Sequence, residues 1–553
     1  MFGGEAMVGQ AESSVMRHSP HLRHQAGAGR VREVADSGVR LTELLASLSL
    51  VTDLGFGQPP EHMLRAARIS MRLGERLGLE AEELATLFDV SLLTYVGCPV
   101  YGNEAAVMIG DDIDYRAHAV ELDLAGFPAM LFMLRRAGSG GSSLHRARQT
   151  ASLVASGGRA RVELMANHCA AAGELADRLG LSADVRDGIQ QSYARWDGKG
   201  VPADLAGDSL ALSARISHVA EACEVFERKE GVEAAVAMVH SRKGTHFDPK
   251  IAAAVKPDAE ALFAGIGDDT IDEIIDAEPI GRPSLTDEQL DQSLAAIGDF
   301  CDMRCTYFAG HSRGTAILVA DAADLLNVSA ADAALARRAA LVHDVGRFGV
   351  PATVWDKPGS LSSSERERMR LHAYYAERIF NRPAPLRRVG LLAASHHERM
   401  DASGYHRAVG GAMLSLPARL LAAADSYHAM TQPRPHRAAM TPDDAANQLR
   451  REGQEGRLDP IAIDAVLTAA GHATSRTRGG GPGGLTAREV DVLGLLTQGL
   501  PNKAIARQLG ISPKTVGNHI ERIYTKLRVS SRAAAAMRAM QDGLIGATSS
   551  RPD

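Results

Sequence analysis

The sequence predicts an all-α protein on three observations. Amphipathic helical patterns broken by Gly, Pro and Asp dominate from Leu41 onward, period-two alternation is hard to find, and one long pattern occurs twice. The expected architecture is a tandem pair of helical bundles followed by a small basic helical module.

Length and composition frame that expectation. At roughly 150 residues per folding unit, the 553 residues suggest three to four units. An apolar fraction of 45% and a charged fraction of 23% exclude a fibre and exclude bulk disorder. The formal charge of −6 does not describe a nucleic-acid binder, but Leu485 to Ile545 carries nine Lys/Arg against four Asp/Glu. Only the tail is therefore expected to meet phosphate. With 2 Trp, 10 Tyr and 12 Phe, a single-strand binder built on stacking platforms is excluded. Five cysteines do not make a disulfide scaffold and fit a reducing interior. Cys301 and Cys305 share a helix face with no second pair nearby, and are expected to be buried structural thiols. There is no apolar signal segment and no run of eighteen apolar residues, so a cytoplasmic protein without membrane association is expected.

In chain order, residues 1–40 lack periodicity and are expected to be a disordered leader. Residues 41–264 and 288–471 are the two copies. They are separated by an acidic, Pro-punctuated linker at 265–287, and a Gly-rich linker at 472–484 leads to the tail at 485–547. A register shift of 204 lays Arg195-Trp196-Asp197-Gly198-Lys199-Gly200 on Arg399-Met400-Asp401-Ala402-Ser403-Gly404, and His168 on His372. A shift of 249 lays His62 on His311, so the first copy carries an insertion of 45 residues between Thr94 and His168.

The second copy places His311, His343-Asp344, His372, His396-His397 and Asp425 in order. Five imidazoles and two carboxylates on facing helices are a nitrogen/oxygen set for two divalent transition metals. One carboxylate of an adjacent His-Asp pair can bridge both ions. Two cations about 3.5–4 Å apart can hold a hydroxide at neutral pH and steady the attacking and leaving oxygens of a phosphoryl displacement.

His343-Asp344-Val345-Gly346-Arg347, Pro351, Lys357-Pro358-Gly359, Glu365, His372, His396-His397-Glu398-Arg399 and Gly404-Tyr405 together resemble the HD-GYP family. The resemblance covers roughly Gln292 to Gly471. It implies a phosphodiesterase that uses iron or manganese to cut cyclic di-GMP or a related cyclic dinucleotide, with Asp344 bridging the metals. It also implies that Arg347 neutralises developing phosphate charge and that Arg434 and Arg437 contact substrate phosphates. Three residues depart from the family pattern. Arg347 stands where a lysine is usual. His406 ends the Gly404-Tyr405-His406 signature, leaving the choice among cyclic dinucleotides open. Tyr307 occupies the place of a third-metal glutamate, so two ions are expected.

The first copy keeps His62 and His168 but has Thr94-Tyr95, Ser192-Tyr193 and Glu221 at the other ligand positions. It resembles a degenerate HD domain that holds no metals and is retained for packing, dimerisation or ligand sensing, with packing or dimerisation favoured over a sensing pocket.

In the tail, Thr486 and Glu489 form a capping box, Asn502 is expected to cap the second helix, and Ser512-Pro513 opens the third. Val516, Ile520, Ile523 and Leu527 recur as its buried face, and a fourth helix starts at Arg532. Leu485-Thr486-Ala487-Arg488-Glu489-Val490, Asn502-Lys503-Ala504-Ile505-Ala506 and Thr515-Val516-Gly517-Asn518-His519 resemble the LuxR-type helix-turn-helix. Lys503, Lys514, Thr515, Asn518, His519, Arg522 and Lys526 are the expected contacts to double-stranded DNA. Two readings follow for the whole chain, which is expected to be a homodimer: a cyclic-dinucleotide phosphodiesterase with a DNA-binding tail, or a transcription regulator whose HD domains sense a nucleotide or metal without turnover.

Overall fold

A computed structural model of the chain describes residues 38–100, 102–123, 126–138, 143–156, 158–267, 270–473, 485–527, 529 and 531–541. The leader up to residue 37, residues 474–484 of the Gly-rich linker and the tail beyond 541 lie outside the described residues. Among the described residues the regular elements are helices.

The repeat is visible in where helices begin. His62–Arg76 and His311–Leu325 start at equivalent positions, as do Ala81–Leu93 and Ala330–Val342, and Leu212–Glu230 and Leu416–Thr431. The first ligand-bearing helix is capped in the same way in both copies. The carboxylate of Asp53 accepts from the Met63 N–H at 3.0 Å, and that of Asp302 accepts from the Ser312 N–H at 2.9 Å. Each meets backbone donors that a helix leaves unsatisfied at its start. The 45-residue insertion builds additional helices, including Gly102–Ile109, Asp112–Ala119 and Gly126–Arg136.

The two copies share one apolar core, with Leu44, Leu45 and Leu48 of the first continuous with Leu294, Ala340 and Phe348 of the second. Helix Leu41–Phe56 packs against Val345–Gly349, the turn that follows His343-Asp344. A buried ionic bridge also joins the copies. Arg304, with no exposed surface, donates to Asp112 Oδ2 at 2.8 Å, to the Pro99 carbonyl at 2.6 Å and to the Val350 carbonyl at 3.0 Å. The other oxygen of Asp112 accepts from the Ala352 N–H at 2.9 Å.

The linker expected at 265–287 needs correction, because it contains a docked helix, Thr270–Asp276. Ile271, Ile274 and Ile275 fall at helical spacing and are buried in the shared core. Thr42 donates to Glu278 at 2.6 Å, and Arg282 pairs with Asp89 at 2.5 Å. Acidic residues on the outer face gave this segment its linker-like composition. The five cysteines are free and buried, Cys301 and Cys305 among them as expected.

The tail has its own core around Leu493, Ile505, Val516 and Ile523. The Thr486/Glu489 capping box forms, and Ser512 accepts from the Thr515 N–H at 3.1 Å. Asn502 is not a cap. It is the first helical residue of Asn502–Leu509, and Pro501 occupies the cap position without a side-chain bond.

Candidate metal centre

His311 begins its helix, His343 ends Ala330–Val342, His372 lies within Ser363–Asn381, and Asp425 lies within Leu416–Thr431. His396 and His397 follow Arg387–Ala393. All seven side chains predicted as ligands converge. His311, His343 and Asp344 form one group whose ligand atoms lie within 4.8 Å of one another, and His372, His396 and His397 form another. Asp344 stands between them. Its Oδ2 faces His343 Nε2 at 2.9 Å and His311 Nε2 at 3.5 Å. Its Oδ1 faces His372 Nε2 at 3.6 Å and His396 Nε2 at 3.7 Å. Asp425 approaches both sides, with Oδ1 3.1 Å from His311 Nε2 and Oδ2 3.8 Å from His397 Nδ1.

The backbone orients these rings. The Nδ1 of His343 meets the Ala340 carbonyl and that of His396 meets the Ala393 carbonyl, each at 2.7 Å, and His372 Nδ1 likewise meets the Met369 carbonyl. Each ring turns its Nδ1 to a carbonyl three residues back, which aims its Nε2 inward. His343 Nε2 and both Asp344 oxygens are buried without a well-aligned hydrogen bond. A donor set so fully buried yet unsatisfied fits divalent cations.

The electrostatics agree. Burial would raise the Asp344 carboxyl, but Arg347, His343 and His396 hold it well below the usual carboxylate range. Burial likewise works against the ionised form of Asp425, and its bonds to His311 and His343 keep it well below that range. Burial, reinforced by neighbouring imidazoles, pushes His396 down to about 3 and keeps His397 neutral, the state that binds metal. His343 is the exception. Burial pulls it down, but the adjacent Asp344 and Asp425 lift it to about 10, so cation uptake must displace its proton.

Arg347 pairs with Asp344 and lies over the Phe308 ring, 3.7 Å from its centroid, with Trp355 on another side at 5.4 Å. Its Nε and Nη1 are buried without acceptors. Arg434 stacks on Phe308 at 4.8 Å. Arg437 does not fit the expected phosphate role. Its guanidinium donates to the carbonyls of Ala429, Met430, Gln432 and Ala438, closing the end of Leu416–Thr431. Tyr307 is exposed and offers no carboxylate to a third ion.

Sequence reasoning missed His428, whose Nδ1 lies 3.0 Å from His311 Nδ1. Its spacing of three from Asp425 on one helix face was an available signal. The platform of Phe308 and Trp355 under Arg347 left no such trace.

At the corresponding place in the first copy, an internal ion pair replaces the ligand set. His62 meets Glu224 through Nδ1 and Glu221 through Nε2, the latter at 3.5 Å. Burial opposes its protonation, but the two glutamates lift it to about 10. Among the described residues, both metal-capable groups belong to the second copy.

In the tail, Lys503, Lys514, Asn518 and Arg522 are exposed, and Thr515 and His519 are half-buried. Lys526 is less available than expected, because its ammonium pairs with the buried Glu489 carboxylate at 2.6 Å. Gly517 faces open space, with nothing within 4 Å of where a side chain would begin.

Comparison with known proteins matches these units. The family model described as "HD domain" matches residues 158–251 and 296–461, and that described as "Bacterial regulatory proteins, luxR family" matches 484–539. The chain is 32% identical over 441 residues to 3'3'-cGAMP-specific phosphodiesterase 3 of Vibrio cholerae, covering 79% of this chain and 96% of that protein. It is 36% identical over 148 residues to the cyclic di-GMP phosphodiesterase response regulator RpfG of Xanthomonas campestris, covering 26% of this chain and 39% of that one. The crystal structure of a cyclic GMP-AMP specific phosphodiesterase of V. cholerae (V-cGAP3) superposes with a TM-score of 0.55 at 29% identity, over 79% of this chain and 99% of that chain.

Proposed function

Because the chain belongs to the HD-GYP family of HD-domain phosphodiesterases, we propose that its second copy hydrolyses a cyclic dinucleotide and that its tail binds DNA. 3'3'-cGAMP is the first candidate substrate, since a relative of that specificity is matched over nearly its whole length. The observation that carries the reading is Asp344, one carboxylate set between two groups of imidazoles.

In this reading His311, His343, Asp344, His372, His396, His397 and Asp425 hold two divalent cations, iron or manganese. When bound, such cations activate water and neutralise charge on the phosphoryl oxygens. Asp344 and Asp425 place carboxylate charge on both sides, and the Nδ1 anchors hold the imidazoles in the ligating tautomer. Arg347 offers its spare N–H groups to non-bridging phosphate oxygens, held in place by Phe308 and Trp355. Arg434 adds a second cation over the same ring. The first copy is non-catalytic, and the protein acts as a cytoplasmic homodimer. Among the described residues no helix is long and apolar enough to cross a membrane.

The test is elemental analysis of the purified chain with turnover measured across cyclic dinucleotides. Metal at about two ions per chain and conversion to a linear dinucleotide are expected. Binding of every candidate without product would sink the enzymatic reading.

For the tail, Lys514→Ala and Arg522→Ala are each expected to weaken duplex binding and reduce the salt slope by about one. Gly517→Lys should do the opposite, since it removes a helical glycine worth about 1 kcal/mol and adds a cation in open space. Fluorescence anisotropy across a salt series reads both.

A further inference from the structure

We infer that the first copy binds a small organic monoanion, with an apolar body of one ring or a short chain, in a cavity at the position of the missing metal centre. Tyr95, His168, Tyr193 and Glu221, at the positions of Asp344, His372, His397 and Asp425, line this cavity. The inserted helices supply much of the remaining wall, through Ile109, Ala119 and Met133. The insertion has therefore covered the old site with apolar side chains. The cavity measures about 130 Å³, close to the roughly 150 Å³ hole that admits benzene.

The polar groups left over define the head of the ligand. Glu221 has no hydrogen bond at Oε1, but its charge is matched by His62 Nε2 at 3.5 Å, and His246 Nδ1 is likewise unpartnered. Arg116 is 7% exposed and lines the cavity; its Nη1 serves Asp112 and the Gly55 carbonyl, but its Nη2 has no partner. The Nε2 of buried His168 also lacks a partner. A guanidinium N–H can only donate, so an oxyanion is its natural complement. Tyr95 adds an independent sign. This bulky residue has φ of 65°, in the left-handed region that such side chains avoid outside constrained sites.

The same arginine connects the cavity to the catalytic copy. Arg116 and Arg304 share Asp112 Oδ2, at 2.7 and 2.8 Å, and Asp112 also holds the Ala352 N–H in the segment after Arg347. An anion held by Nη2 of Arg116 shares a guanidinium whose Nη1 already serves Asp112.

The test is isothermal titration calorimetry on the full metal-loaded chain with benzoate, cyclohexanecarboxylate and hexanoate, and with benzamide as the neutral counterpart of benzoate. At least one carboxylate should bind at a single site, and benzamide at least about tenfold more weakly than benzoate where benzoate binds. Ala119→Leu, which fills the cavity, should abolish that binding while metal content and helical circular dichroism are retained. Saturation-transfer NMR on the unmodified chain gives a readout that needs no variant, with ligand protons expected to show contact with protein. Heat from none of the carboxylates, equal binding of benzamide and benzoate, or undiminished binding in a folded Ala119→Leu chain would each overturn the inference. The last outcome would assign the anion to the metal centre instead.

Discussion

Replacing Asp344 by asparagine will lower cyclic-dinucleotide turnover by roughly 10³-fold or more, since metal charge stabilisation is worth several kcal/mol and each 1.36 kcal/mol is a decade. The substitution preserves shape but removes the charge whose two oxygens face two different groups of imidazoles. Bound metal should fall with it. Arg347 keeps its aromatic platform, so the fold should persist and helical circular dichroism should be unchanged. A variant that retains both its metal and its turnover would show that Asp344 does not bridge.

Asp112→Ala is expected to cost about 3–5 kcal/mol of stability, the range for breaking a buried ion pair from one side. It strands two cations, Arg304 and Arg116, which are 0% and 7% exposed. Burial favours the neutral carboxyl, yet these two arginines hold Asp112 below its ordinary value of 3.8. Its stabilising contribution is therefore present above that value and is lost as the pH falls below it. Adding Arg304→Met should recover part of the loss, because an apolar side chain of similar length tolerates the site that an unpaired charge does not. Thermal melts of the single and double variants measure both effects, and equal melting temperatures for the parent and Asp112→Ala would remove the bridge from the account.

Much of this was legible in sequence because it depends on spacing. The repeat predicted which helices correspond, and all seven ligand types fell into one centre because helix starts fixed their phase. What was not legible depends on tertiary partners. Arg437 and Lys526 look alike, as exposed cations near functional segments, until the structure shows one closing a helix end and the other paired with Glu489. Thr270–Asp276 was hidden because its three isoleucines sit among acidic residues that dominate composition. The cavity was invisible because much of its apolar wall comes from an insertion with no counterpart in the second copy.

The position of Arg304 bears on inheritance. A gene rearrangement that carried off the second bundle alone would leave this cation facing water or an empty apolar surface, with its carboxylate partner left behind in the other fragment. Any chain that keeps Arg304 in its second bundle therefore keeps a use for the Asp112 carboxylate of its first.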